Sequence, residues 1–188
     1  MTEQQAYRVL ESRGDVELRE YAPCVVADVV VTGSAEQAAN AAFRPLFTYI
    51  SGANRTASSI AMTAPVIQQA AGEQLAMTAP VLQEAAGPEQ WTVSFVLPGS
   101  RPIEDYPAPT DPQVTLRALP SERAAALRWS GRWTSGNIAK RTDELRRAIA
   151  EAGWTAAGEP RWARFDPPWK PPFARRNEIV IPVGLALP

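Results

Sequence analysis

A chain of 188 residues, 45% of them hydrophobic, has the size of one globular domain and can bury a core without disulfides or structural metal. A formal net charge of −1 gives a polyanion no global electrostatic reason to bind, so nucleic acid is not an expected partner. Histidine is absent altogether, which removes Ser-His-Asp and Cys-His relays, an imidazole general base and histidine ligation of iron or zinc. The polar opening Met1-Thr-Glu-Gln-Gln5, and the lack of any apolar run near the roughly 18 residues of a span, predict neither a secretion signal nor a membrane segment. The lone Cys24 cannot form an internal disulfide, so a reducing, cytoplasmic location is expected.

In chain order, the valine-rich run 24–31 predicts a strand. Ser34 then offers an N-cap to a helix over 35–50, with Ala39, Ala42, Phe43, Leu46, Phe47 and Ile50 spaced on one face. Pro45 falls inside that pattern and is expected to kink or loosen it, and Ser51-Gly52 ends it. The hexamer Ala-Met-Thr-Ala-Pro-Val follows twice, at 61–66 and 76–81, the copies fifteen residues apart. Both copies read as strands, each running into alternating apolar and polar residues, with the Gly-containing 69–73 as a hairpin-length connection. Their prolines, which give no ladder donor, argue for edge strands or bulges.

A strand over 91–97 leads into 98–112, which holds five prolines without periodicity and predicts a loop inside one domain. Beyond it, 114–119 and 124–129 predict strands, and 134–152 a helix with Ile138, Leu145 and Ile149 on one face. Asp143, Glu144, Arg146 and Arg147 form that helix's wet face. Strands over 160–165 and 177–183 close the chain. The tryptophans at 129, 133, 154 and 162 fall on or beside these elements and predict core or cleft walls.

Three blocks carry a resemblance to a known family. The segment from Phe43-Arg-Pro-Leu-Phe-Thr-Tyr-Ile-Ser-Gly-Ala-Asn-Arg55 into the hexamer is similar to the signature of the SOUL haem-binding proteins. The segment Phe165-Asp-Pro-Pro-Trp-Lys-Pro-Pro-Phe-Ala-Arg-Arg-Asn-Glu-Ile179 resembles that family's closing loop and last strand. The opening Tyr7-Arg-Val-Leu10 and Val16-Glu-Leu-Arg-Glu-Tyr21 is similar to its first hairpin. The resemblance implies one α+β domain over 1–188, with related halves at roughly 1–97 and 113–188. Each half is a helix on antiparallel strands, and together they make a distorted, barrel-like antiparallel sheet with two main helices. It also implies a ligand cleft between a helix and the closing loop, tetrapyrrole binding, and kinship with gyrase-inhibitor-like small-molecule sensors.

Within that frame, Trp169 and Phe173 are expected as an aromatic lid stiffened by neighbouring prolines, with Lys170, Arg175 and Arg176 able to hold ligand carboxylates at its rim. Asp166 pairing with one arginine while Trp169 packs as a plug is the competing outcome. Phe43 and Phe47 are expected as a cleft wall. The family's basic positions on their helix correspond to Asn40 and Thr48, leaving Arg44 as its only cation. Met62 and Met77 are expected to line the cleft, and Cys24 to be a buried, inert thiol. Glu178 is either the cleft glutamate of the gyrase-inhibitor-like relatives or the partner of Arg175 or Arg176. The expected function is binding of haem or another tetrapyrrole without histidine ligation, with no catalytic or metal-ligating residue assigned. A small-molecule sensor or hydrolase using Glu178, and an interaction module presenting its Pro-Trp loop, are the alternatives.

Overall fold

The computed structural model describes residues 5–55, 72–166 and 169–184. Its strands and helices are β1 (Tyr7–Arg13), β2 (Val16–Tyr21), β3 (Cys24–Thr32), α1 (Ala35–Ile50), β4 (Asn54–Arg55), β5 (Val81–Gly87), β6 (Gln90–Val96), β7 (Ala108–Pro109), β8 (Thr115–Leu119), β9 (Glu122–Trp129), α2 (Ser135–Glu151), β10 (Thr155–Ala156), β11 (Arg161–Arg164) and β12 (Asn177–Gly184). The main sheet runs β1-β2-β9-β12-β11-β5-β6-β3-β8 with β10 added on β12, antiparallel throughout, while β4 and β7 pair separately. Among the described residues β1 and β8 are its unjoined edges, so the α+β fold has an open, distorted barrel-like sheet.

The two halves exchange a strand. From the first half, β2 pairs with β9 of the second, and β8 of the second pairs with β3 of the first. Each helix packs on its own half: Ala42, Leu46 and Tyr49 of α1 against Ala27, Val29, Val93 and Phe95, and Ile138, Leu145 and Ile149 of α2 against Leu127, Ile179, Ile181 and Trp162. Trp91 bridges the two clusters, its ring edge-on to Trp162 at 5.5 Å. Trp129, Trp133 and Trp162 are buried, and Trp154 is half-buried.

The face that α1 buries differs from the one its spacing predicts. Ala38, Ala39, Ala42, Leu46, Tyr49 and Ile50 go inward, and Phe43 and Phe47 sit one residue, about 100°, around from Ala42 and Leu46. Tyr49 can be buried because its hydroxyl donates to the Pro107 carbonyl at 2.9 Å. The helix continues through Pro45, and Ser34 occupies the N-cap position without a side-chain cap bond.

The second copy of the hexamer departs from the expected strand. The first copy lies outside the described residues, and in the second the strand starts only at Val81. Pro80 offers no donor, and the residues before it bond elsewhere: the Gln5 N–H donates to the Ala79 carbonyl at 3.3 Å and the Thr78 hydroxyl to the Val96 carbonyl. Of the expected connection over 69–73, residues 69–71 lie outside the described residues, and Glu73 exchanges hydrogen bonds with the Asn54 side chain at 2.8 and 2.9 Å. The segment 98–112 likewise contains ordered pieces, a 3-10 turn at Ile103–Asp105 and β7.

Candidate functional site

On the helix side of the sheet, two rings of α1 stand in solvent. Phe43 and Phe47 are 44% and 45% exposed and stack with centroids 5.5 Å apart, and Phe43 meets the Phe95 ring edge-on at 5.8 Å. Phe95 pairs with Val81 across β6 and β5, and Val81 with Arg164 across β5 and β11. The floor beside the phenylalanines is therefore Phe95, Val81 and Arg164. The Arg164 guanidinium lies 5.1 Å from the centroid of Trp133, which stacks on Trp129 at 5.8 Å. Sequence reading passed over Arg164, although it shares strand parity with the core residue Trp162, which puts a cation on a buried face. Burial pushes its pKa down, and the charge of Arg175 adds to that. Arg44 is exposed on α1.

The closing loop is tied at its base and bare at its tip. Asp166 accepts from Lys170 Nζ at 2.6 Å and from the Arg176 backbone N–H at 2.6 Å, and Arg175 Nε donates to the Lys170 carbonyl at 2.6 Å. Asp166 thus pairs with lysine and an arginine's backbone. Burial alone would raise its pKa, but the Lys170 and Arg176 hydrogen bonds and charges outweigh burial and hold it below the usual aspartate value. Trp169 and Phe173 are 83% and 81% exposed, so Trp169 is no plug. The Gly131 N–H donates to the Pro172 carbonyl at 3.0 Å, docking the loop beside Trp133. No ring contact or hydrogen bond among the described residues joins Trp169 or Phe173 to the α1 phenylalanines.

Glu178 belongs to the opposite face. It pairs in register with Ala163 and Arg128, while its neighbour Ile179 enters the α2 core. Only 1% exposed, its carboxylate accepts from Arg19 Nη1 at 2.6 Å and Nη2 at 3.3 Å, and from Arg176 Nη2 at 2.6 Å and Nε at 2.9 Å. Arg19 is itself buried, with Glu17 at 2.7 Å, the Tyr21 hydroxyl at 3.0 Å and the Tyr7 ring 4.2 Å away. Burial opposes its charge, yet the Glu178 hydrogen bond prevails and raises its pKa. The cavity beside Glu178, lined by Tyr7, Tyr21, Pro80, Leu82 and Phe165, holds about 20 Å³, room for about one water. A second hollow of about 420 Å³, over Asp15, Glu17, Arg19, Arg128 and Arg176, is lined by charges of both signs and suits a small polar molecule rather than a flat apolar one.

Of the soft ligands, Met62 lies outside the described residues and Met77 is exposed in the irregular segment before β5. Cys24 packs with Val26, Leu82 and Ala163 on the Glu178 face, and burial pushes its thiol up to about 11. No cluster of three or more metal-ligating side chains is found among the described residues.

This architecture is an α+β fold of two halves that pair strands with each other. The chain matches the family model of the SOUL heme-binding proteins over residues 2–182 and belongs to that family. Among solved structures it is similar to the EcmrR C-terminal domain, at 14% identity with a TM-score of 0.64, covering 95% of this chain and 98% of that one. The cryo-EM structure of an EcmrR-DNA complex matches at 14% identity and a TM-score of 0.63, covering 90% of this chain and 57% of that one. A hydrolase from Listeria innocua matches at 11% identity and a TM-score of 0.58, covering 93% and 94%. At these identities the likeness is one of fold. No curated protein matches the chain.

Proposed function

We propose that this protein binds haem or a related tetrapyrrole on the helix side of its sheet, in the groove between α1 and the closing loop, without a histidine ligand. The observation that carries this reading is the exposure of Phe43 and Phe47 on α1 and of Trp169 and Phe173 on the closing loop, in a fold whose other large aromatics are mostly buried. Exposed apolar surface of this kind marks a binding surface. The family to which the chain belongs is the second support. The face carrying Glu178 is a poor alternative, since the space beside its carboxylate is about 20 Å³ and the larger hollow of about 420 Å³ over Arg19, Arg128 and Arg176 is lined by charges of both signs. Glu178 is equally ill placed to act as the base of a hydrolase, because both its oxygens already accept from arginines.

Affinity then rests on apolar burial and stacking, with Lys170 and Arg175 on the closing loop and Arg44 on the helix, while the Arg176 guanidinium is turned to Glu178 on the other face. Iron contributes little, because histidine is absent and Cys24 lies on the other face, held as a thiol. Metal-free protoporphyrin is expected to bind within about tenfold of haemin, a difference of about 1.4 kcal/mol, and both should quench tryptophan fluorescence. Haemin binding far more tightly, with a six-coordinate spectrum abolished by Met62→Ala or Met77→Ala, would show that a protein ligand to iron exists.

A further inference from the structure

We propose that Arg164 is the carboxylate anchor of this groove, holding the acidic arm of a flat aromatic ligand whose ring lies against Phe43 and Phe47. The inference deepens the tetrapyrrole reading and rests on it for the identity of the natural ligand, but it makes a chemical claim of its own. Arg164 is half-buried on the helix face of β11, between the apolar cluster under α1 and the one under α2. Other arginines withdrawn from solvent meet a carboxylate: Arg19 meets Glu17 and Glu178, Arg117 meets Asp28, Arg161 meets Glu84 and Glu122, and Arg176 meets Glu178. The Arg164 side chain has neither an ion pair nor a hydrogen bond among the described residues, only the face of Trp133.

Removing a guanidinium from water without a counter-ion is costly, and the nearby charge of Arg175 adds to the cost. A ligand carboxylate would relieve both, and the planar fork of arginine suits it bidentately. The place also fits an aromatic acid. Arg164, Val81 and Phe95 are successive partners in the sheet, so two inter-strand spacings set Arg164 about 10 Å from the residue on which Phe43 packs. A ring stacked at the phenylalanines can thus send a short acidic arm to the guanidinium.

The test uses pyrenebutyrate and its methyl ester, followed by pyrene and tryptophan fluorescence, alongside protoporphyrin and its dimethyl ester. The unaltered protein is expected to prefer each acid over its ester by about tenfold or more. Arg164→Gln should bring acid and ester to within about twofold, and Arg164→Lys, which keeps the charge but not the fork, should retain part of the preference. Circular dichroism establishes that the variants are folded. Acid and ester binding alike in the unaltered protein, a preference that survives Arg164→Gln, or no pyrenebutyrate binding at all would each overturn the assignment. A pyrenebutyrate preference that depends on Arg164, with no porphyrin bound, would uphold the anchor and remove the tetrapyrrole reading.

Discussion

The thiol of Cys24 lies behind Gln5, whose side-chain amide donates to Sγ at 3.4 Å, and burial pushes its pKa up to about 11. Only the thiolate attacks an alkylating reagent, so its reactive fraction at neutral pH lies roughly two orders of magnitude or more below that of a free cysteine near 8.5. Iodoacetamide is therefore expected to modify Cys24 at pH 7.5 on the order of a hundredfold more slowly than it modifies N-acetylcysteine, the rate climbing until the pH nears 11. Modification at the model-thiol rate by folded protein would mean that the strand opens or that the site is polar. Glu178 is withdrawn from chemistry by a different route, through four hydrogen bonds from two arginines. A buried charge so held is stable only as a set, and losing one member of such a set typically costs about 3–5 kcal/mol.

Two carboxylates act at the scale of whole elements. Glu36, in the first turn of α1, accepts at 2.6 Å from the backbone N–H of Ser135, the first residue of α2, so one helix caps the other. Its pKa is lowered by backbone N–H bonds at Glu36 and by the Ser135 contacts. Glu36→Ala is expected to lower stability by about 1 kcal/mol, with thermal melts at neutral pH as the readout; an unchanged melting temperature would make the contact incidental. Asp166 ties the two ends of the closing loop. Because its folded pKa lies below the unfolded value near 3.9, its contribution is complete above that value and is lost as the pH falls through the lower folded one. Asp166→Asn should cost about 1–2 kcal/mol in urea unfolding at pH 7, and the two curves should converge in acid below the ordinary aspartate range. A gap that persists there would have to come from something other than charge.

These elements also show what a sequence can disclose. The helix over 35–50 was plain from spacing, but its facing was not, because Tyr49 counts as buried only once Pro107 supplies an acceptor 58 residues away. The repeated hexamer misled because period-two patterning cannot reveal that Thr78 and Ala79 bond to Val96 and Gln5. Trp169 and Phe173, expected as an aromatic lid among prolines, stand in solvent at the tip of the loop. Parity with Trp162 could have placed Arg164 on a buried face, but what singles it out, the lack of a carboxylate around it among the described residues, is a property of tertiary neighbours. The pairing of Glu178 with Arg176 was legible at a separation of two residues; its pairing with Arg19, 159 residues away, was not.

At the scale of the molecule, the exchanged strands decide how stability is shared. The first half lends β2 to β9 and receives β8 on β3, and the Arg19–Glu178 pair and the Trp91–Trp162 contact also cross between halves. Separated, the first half would keep β2 with no β9 to pair with and would expose the edge of β3 that β8 covers; the second would bury Glu178 without Arg19. Pairings of such long sequence separation carry a loop-closure cost that is repaid only when both halves are present. Fragments 1–97 and 98–188 are therefore expected to be largely unstructured alone by circular dichroism and amide NMR dispersion, and to recover the native spectrum when mixed. A cooperative unfolding transition from either fragment by itself would show that the halves are independent units, with the shared sheet a docking surface between them.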